Sequence, residues 1–179
     1  QNNQDEIKKS EKKRTALTVL HEAKQVIIIP GYGMALAQAQ AVVRQLADTL
    51  TGQGKAVLFA IHPVAGRMPG HMNVLLAEVG IDYNKMLDLD AANLLFPTTD
   101  LVIAVGACDV INPAANTVAG TPISGMPILE ASKAKNIIIC NLDSKPGYSG
   151  VENLLYQQEH VITFWGSAAE TIPRLIAML

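Results

Sequence analysis

Val26-Ile-Ile-Ile-Pro-Gly31-Tyr32-Gly33-Met34-Ala35-Leu36-Ala37 is the stretch on which the fold of this chain turns. Four consecutive apolar, β-branched residues bounded by Pro30 and Gly31 predict a short strand with no polar face. A strand that is apolar on both faces is covered on both faces, which calls for a parallel sheet between helices. Behind the glycines, Leu36, Ala39, Val43, Leu46, Ala47 and Leu50 recur at helical spacing. They predict one helix over 34–51, with Arg44 and Asp48 four apart on it and Gly52 and Gly54 as its stop. A second apolar run, Ala56 to Ile61, follows directly. Residues 25–61 therefore read as a strand–helix–strand unit with a right-handed crossover.

The same pattern continues along the chain. Short apolar runs at 25–30, 55–61, 84–89, 100–105, 135–140 and 160–165 predict six strands. Helices are predicted over 15–23, 71–79 and 167–179, the last interrupted by Pro173. The fold class is α/β: a single Rossmann-like domain over 15–179, with a six-stranded, mostly parallel sheet and helices on both faces. Residues 1–14 are charged, with Lys8, Lys9, Glu11, Lys12, Lys13 and Arg14 close together, and read as a linker or the solvated start of a helix. With 179 residues, the chain has room for one domain and buries enough surface to need no staple. Aromatic residues make up only 4%, so the core is built from Val, Ile, Leu and Ala. The net charge of −2 argues against a nucleic-acid partner, which would need a basic face. No apolar run reaches the ~18 residues of a membrane span, and no signal peptide precedes Arg14. Gln1 in place of Met is what a processed or trimmed fragment would show. Cys108 and Cys140 lack metal-ligand spacing and are expected to be buried, reduced thiols.

Gly31-Tyr32-Gly33 followed by Ala35 and Ala37 approaches the G-x-G-x-x-G/A turn of dinucleotide-binding domains. There the first glycine makes the tight turn, the second admits a phosphate to the backbone, and the small third residue brings helix and strand together. The helix start is expected to offer free N–H groups to a pyrophosphate. The acid that usually ends the second strand of such a unit is missing, because Ile61-His62-Pro63 stands in its place. Three further loops leave the same sheet edge. His62 to His71 carries Arg67, a natural phosphate partner, and two histidines expected in structural or hydrogen-bonding roles, with a proton-linked role as the alternative. In the loop starting at Gly106, Asp109 and Asn112 read either as carboxamide or ribose partners or as loop caps. The ten residues from Asn141 to Gly150 have the length of a lid, with Tyr148 able to stack on a ring.

Several segments resemble domain III, the NADP(H)-binding domain, of the beta subunit of proton-translocating nicotinamide nucleotide transhydrogenases (Re/Si-specific). They are Pro30-Gly-Tyr-Gly-Met-Ala35, Ala37-Gln-Ala-Gln40, the eighteen residues Ile61 to Glu78, Asp109 to Ala115, Gly125 to Leu129 and Gly147-Tyr-Ser-Gly-Val151. The resemblance implies that NADP(H) lies reversed relative to ordinary dehydrogenases, which would account for the missing acid. It implies cofactor contacts at Gly31, Tyr32, Gly33, Ala37, Val64, Gly66, Arg67, Met68, Pro69, Gly106, Asp109, Asn141, Asp143, Lys145, Gly147 and Tyr148. It implies no catalytic residue and no metal of the chain's own, because the cofactor carries the chemistry. The implied partners are a separate NAD(H)-binding domain and a transmembrane proton-channel domain. The implied location is the cytoplasmic or matrix side of an inner-membrane protein. The alternative reading is a nucleotide-sensing or regulatory module. One departure bears on the cofactor: the lid of such domains begins Lys-Arg-Ser at the 2′-phosphate, whereas Asn141-Leu142-Asp143 stands here. NAD(H) is therefore an expected alternative to NADP(H).

Overall fold

The computed structural model describes residues 2–179; Gln1 and the side chains of Asn2 and of residues 9–14 lie outside the described part. In chain order the main elements are α1 (Asn2–Glu22), β1 (Gln25–Pro30), α2 (Tyr32–Leu36), α3 (Gln40–Gly52) and β2 (Ala56–Ala60). They continue with α4 (His71–Glu78), β3 (Met86–Leu87), α5 (Leu89–Leu95), β4 (Leu101–Val105) and α6 (Ala114–Thr117). The chain ends with β5 (Asn136–Asn141), β6 (Val161–Trp165) and α7 (Ala168–Ala177). The six strands form one sheet in the order β3-β2-β1-β4-β5-β6, and every pairing is parallel. The strand order reverses between β1 and β4, and the crevice above their carboxyl ends is where such sheets bind ligands.

The apolar strands behave as their composition requires. Alternate residues of β1 enter opposite layers: Val26 and Ile28 pack with α1, α3 and α7, and Ile27 and Ile29 with Ala92, Phe96 and Leu129. β4 divides in the same way, Leu101, Ile103 and Val105 on one side and Val102 and Ala104 on the other. Each fully buried Ile or Val contributes roughly 1.5–3 kcal/mol relative to exposure, so these two strands anchor both cores.

α1 begins at Asn2 rather than near residue 15, so of the two readings of the charged stretch the helix start holds and the linker does not. Two expectations are corrected. The strand expected over 84–89 is only Met86–Leu87, because the side chain of Asp82 caps a 3-10 turn over Tyr83–Lys85 and that of Asp88 caps α5. The single helix expected over 34–51 is two. α2 stops after one turn, with the amide of Ala39 bonded to Met34 O and that of Gln38 to Ala35 O, while Gln38 turns left-handed at φ 50°. This is a helix stop of the type usually built on glycine. With glutamine at the key position, the sequence carries no stop signal there.

Candidate functional site

The glycines of the first turn meet a third across the switch point. Gly31 N donates to Val105 O at 2.9 Å and Gly33 N to Gly106 O at 2.9 Å, which ties the β1–α2 turn to the loop leaving β4. A Cβ on Gly31 would collide with the Gly106 carbonyl, and one on Gly33 would lie 2.7 Å from Gly106 Cα. Gly106 itself needs φ +64°, and its Cβ would run into the amide of Met34. All three glycines are thus demanded by the close approach of two loops within the protein. Free N–H groups at the helix start were expected. Instead, Gly33 N is spent on Gly106, Met34 N bonds Gly31 O at 3.0 Å, and α2 is only five residues long.

The loop after β2 closes back on this turn. Buried Ala65 fixes its middle, and Val64, Met68 and Pro69 stand exposed. Gly66 adopts φ +88° against the His71 ring, whose Nδ1 accepts from Arg67 N at 3.1 Å. The Arg67 guanidinium lies 4.9 Å from the centre of the Tyr32 ring, a cation–π contact, and Tyr32 is tilted against His71 at 6.4 Å. Arg67, exposed yet held, is thereby placed beside the glycine turn. His62 is buried, accepts from Val64 N at Nδ1 (3.2 Å) and pairs Nε2 with Pro127 O at 2.6 Å. An acceptor Nδ1 assigns the proton to Nε2, which donates to Pro127. Burial holds the His62 pKa below its ordinary 6.5, against a smaller opposing pull from the Pro127 carbonyl. His62 and His71 thus both serve here as loop-organising hydrogen-bond partners.

On the β4–β5 side, Asp109 grips the long loop. Its Oδ2 accepts from Ser149 N at 3.0 Å and its Oδ1 from Ser149 Oγ at 2.6 Å, with Gly147 close enough that a Cβ there would stand 3.1 Å from the carboxylate. Asn112 is fully buried and acts as a cap: Oδ1 accepts from Ala114 N and Leu154 N, and Nδ2 donates to Glu152 O. Asn141 spends its amide protons on Ala107 O (2.8 Å) and the Tyr156 hydroxyl (2.7 Å), leaving its buried Oδ1 without a partner. Tyr156 donates in turn to Cys108 Sγ at 3.5 Å, and its phenol is pushed up chiefly by burial. Cys108, expected buried, is only half-buried. Asp143 accepts from Lys145 N at 2.9 Å and so makes its own turn, while Tyr148 projects fully into solvent.

Cys140 and Leu142, flanking Asn141, face the other way and line a cleft of about 230 Å³. Gly33, Leu36, Ala37 and Gly106 form one side of it, and Gly166, Ser167 and Ala168, at the start of α7, the other. Burial raises the Cys140 thiol to about 12, a Thr171 hydrogen bond opposing, so it is an inert wall group. Leu36 and Leu142 stand exposed at the rim. Among the described residues, no group of three His, Cys, Asp or Glu side chains could hold a metal ion.

The structure thus gathers Gly31, Tyr32, Gly33, Gly66, Arg67 and Gly106 into one cluster and joins Asp109 to Gly147 in a second. It leaves Tyr148, Val64 and Met68 free of either. Sequence reasoning overlooked Ser149, Asn153, Tyr156 and the Gly166–Ala168 wall. Ser149 meets Asp109 from 40 positions away, so no local signal marks the pair. Asn153 has one, since its side chain accepts from Leu155 N two residues on, a turn that Asn favours.

Comparison with known proteins assigns the family. Among solved structures, an exopolyphosphatase-related protein from Bacteroides fragilis aligns with a TM-score of 0.51 at 17% identity, over 94% of this chain and 43% of its own. Benzoylformate decarboxylase from Polynucleobacter necessarius aligns with a TM-score of 0.55 at 15% identity, over 95% of this chain and 27% of its own. Both show a shared fold and nothing more. The NAD(P) transhydrogenase subunit beta of Rhodospirillum rubrum is 45% identical over 161 residues, 90% of this chain and 35% of that protein. The chain therefore spans about a third of the length of this relative. A family model described as NAD(P) transhydrogenase beta subunit matches residues 1–178, and the chain belongs to that family.

Proposed function

We propose that this chain is the nucleotide-binding component of a proton-translocating transhydrogenase, holding NADP(H) or its NAD(H) counterpart for direct hydride exchange with NAD(H) on a partner domain. One observation carries the reading: an open cleft above the carboxyl ends of β1, β4 and β5, bordered by the interlocked Gly33 and Gly106 at the point where strand order reverses. The bound nicotinamide ring would supply the hydride chemistry. The chain's own residues position and enclose. The glycine contact sets the crevice floor with no side chain in the way. Arg67, pre-oriented on Tyr32, offers a cation to the pyrophosphate. Residues 142–150, gripped at Ser149 by Asp109, form a flap at the crevice edge that Tyr148 extends. A reversed nucleotide, with adenosine on the β5–β6 side, agrees with the absence of any carboxylate at the end of β2.

No helix among the described residues is long and apolar enough to cross a membrane. From the family, proton-conducting spans and an NAD(H)-binding domain are the proposed partners, with this chain on the cytoplasmic or matrix side. The test mixes the chain with the NAD(H)-binding domain of a transhydrogenase and follows hydride exchange by absorbance. Transfer in the mixture and none from either component alone is expected. Bound nucleotide without transfer would instead favour a sensing module.

A further inference from the structure

We propose that the dinucleotide this cleft prefers carries no 2′-phosphate on its adenosine ribose, and that Asp143 and Glu170 set the preference. The inference rests on the reading above that places the adenosine half on the β5–β6 side.

The cleft suits a nucleoside base. Leu36, Ala37, Leu142 and Ala168 are apolar walls, and about 230 Å³ is open between them. The ionic surroundings are wrong for an additional phosphate. The segments that supply the cleft's lining residues run over 31–39, 106–113, 140–150 and 166–170. Their charged residues flank the lining rather than form it: three acids, Asp109, Asp143 and Glu170, against one cation, Lys145. A ribose 2′-phosphate is close to a dianion at neutral pH and is held by Arg or Lys forks. Arg67 is held on Tyr32 beside the glycine turn, where it would meet the pyrophosphate and not the adenosine ribose. Lys145 stands in a turn made by Asp143 itself, whose Oδ1 takes the Lys145 amide. The cation thus has an anion two residues away in the chain.

Glu170 completes the exclusion. It lies in the first turn of α7, and its Oε2 reaches back to within 3.9 Å of where a Cβ on Gly166 would stand, on the cleft wall. There it occupies the positive end of the helix dipole, which would otherwise draw an extra phosphate. A free ribose meets the opposite situation. Carboxylate oxygens accept well from the 2′- and 3′-hydroxyls. Ser167 lines the cleft with a side chain that makes no capping bond to its own helix. The pyrophosphate is common to both dinucleotides, so its repulsion does not discriminate between them.

Calorimetric titration of the whole chain with NAD+ and NADP+ at equal, low ionic strength tests this. NAD+ is expected to bind about tenfold more tightly than NADP+. Equal affinities, or NADP+ the tighter, overturn the proposal. Asp143→Asn keeps a side-chain oxygen for the Lys145 amide and so preserves the turn. Combined with Glu170→Gln, it is expected to shift the NADP+/NAD+ affinity ratio about tenfold toward NADP+. An unchanged ratio overturns the role of the two acids. Failure of both nucleotides to bind a folded chain removes the nucleotide-site reading itself and the proposal with it.

Discussion

At Gly106 the backbone turns with φ +64°, and there a single hydrogen atom in place of a side chain lets two loops lock. In sequence, Gly31 reads as the residue of the tight turn and Gly33 as room for a phosphate. The tertiary contact shows that they first make room for Gly106. His62 takes the hydrogen-bonding role its place in the loop predicts: its two ring nitrogens join the loop after β2 to Pro127. Its depressed pKa has a stability consequence with a definite sign. The unfolded chain takes up a proton near pH 6.5, whereas the folded chain resists it. The stability from neutral His62 is therefore complete above 6.5 and is lost as pH falls from there through the folded value. The slope approaches at most ~1.4 kcal/mol per pH unit. Denaturant midpoints of the parent chain should drop below pH 6.5, and His62→Gln, which keeps a donor for Pro127, should flatten that drop. Parallel pH profiles in the two proteins would count against it.

The break between α2 and α3 is the main event at the level of elements. Periodicity carries straight through it, because Leu36, Ala39 and Val43 suit one continuous helix. What stops α2 is its anchoring: its first turn is bonded to Gly106, and its last turn ends on the left-handed Gln38. A non-glycine residue in that region costs roughly 1–2 kcal/mol, some of which a glycine would give back in unfolded-chain entropy. Gln38→Gly is therefore expected to stabilise the domain by about 0.5–1 kcal/mol, measured by urea unfolding. A destabilised variant would show that the glutamine side chain itself supports the bend.

For the whole molecule, the flap over 142–150 and the cleft walls belong to loops contributed by distant parts of the chain. Ligand binding must therefore be felt as global stability. A nucleotide at 100 times its dissociation constant adds about 2.7 kcal/mol, which for a chain of this size raises Tm by roughly 5–10 °C. Hydrogen exchange should slow over residues 142–151 at the same time. A Tm that rises while exchange there is unchanged would place the nucleotide without the flap.

The sequence by itself determined the α/β class, the six strands and the glycine turn, because burial on both faces leaves a short apolar run no other pattern to show. It also determined the family, through the long block from Ile61 to Glu78. β3 came out shorter than the expected 84–89, since the capping acids Asp82 and Asp88 compete with the strand locally. The helix break, the grip of Asp109 on Ser149 and the turning of Asn141 away from the cleft were decided only by tertiary structure. Each depends on groups far apart in the chain, 40 residues in the case of Asp109 and Ser149. A pattern of neighbours carries no information about which distant backbone will come close, and it is that approach that makes Gly31, Gly33 and Gly106 obligatory.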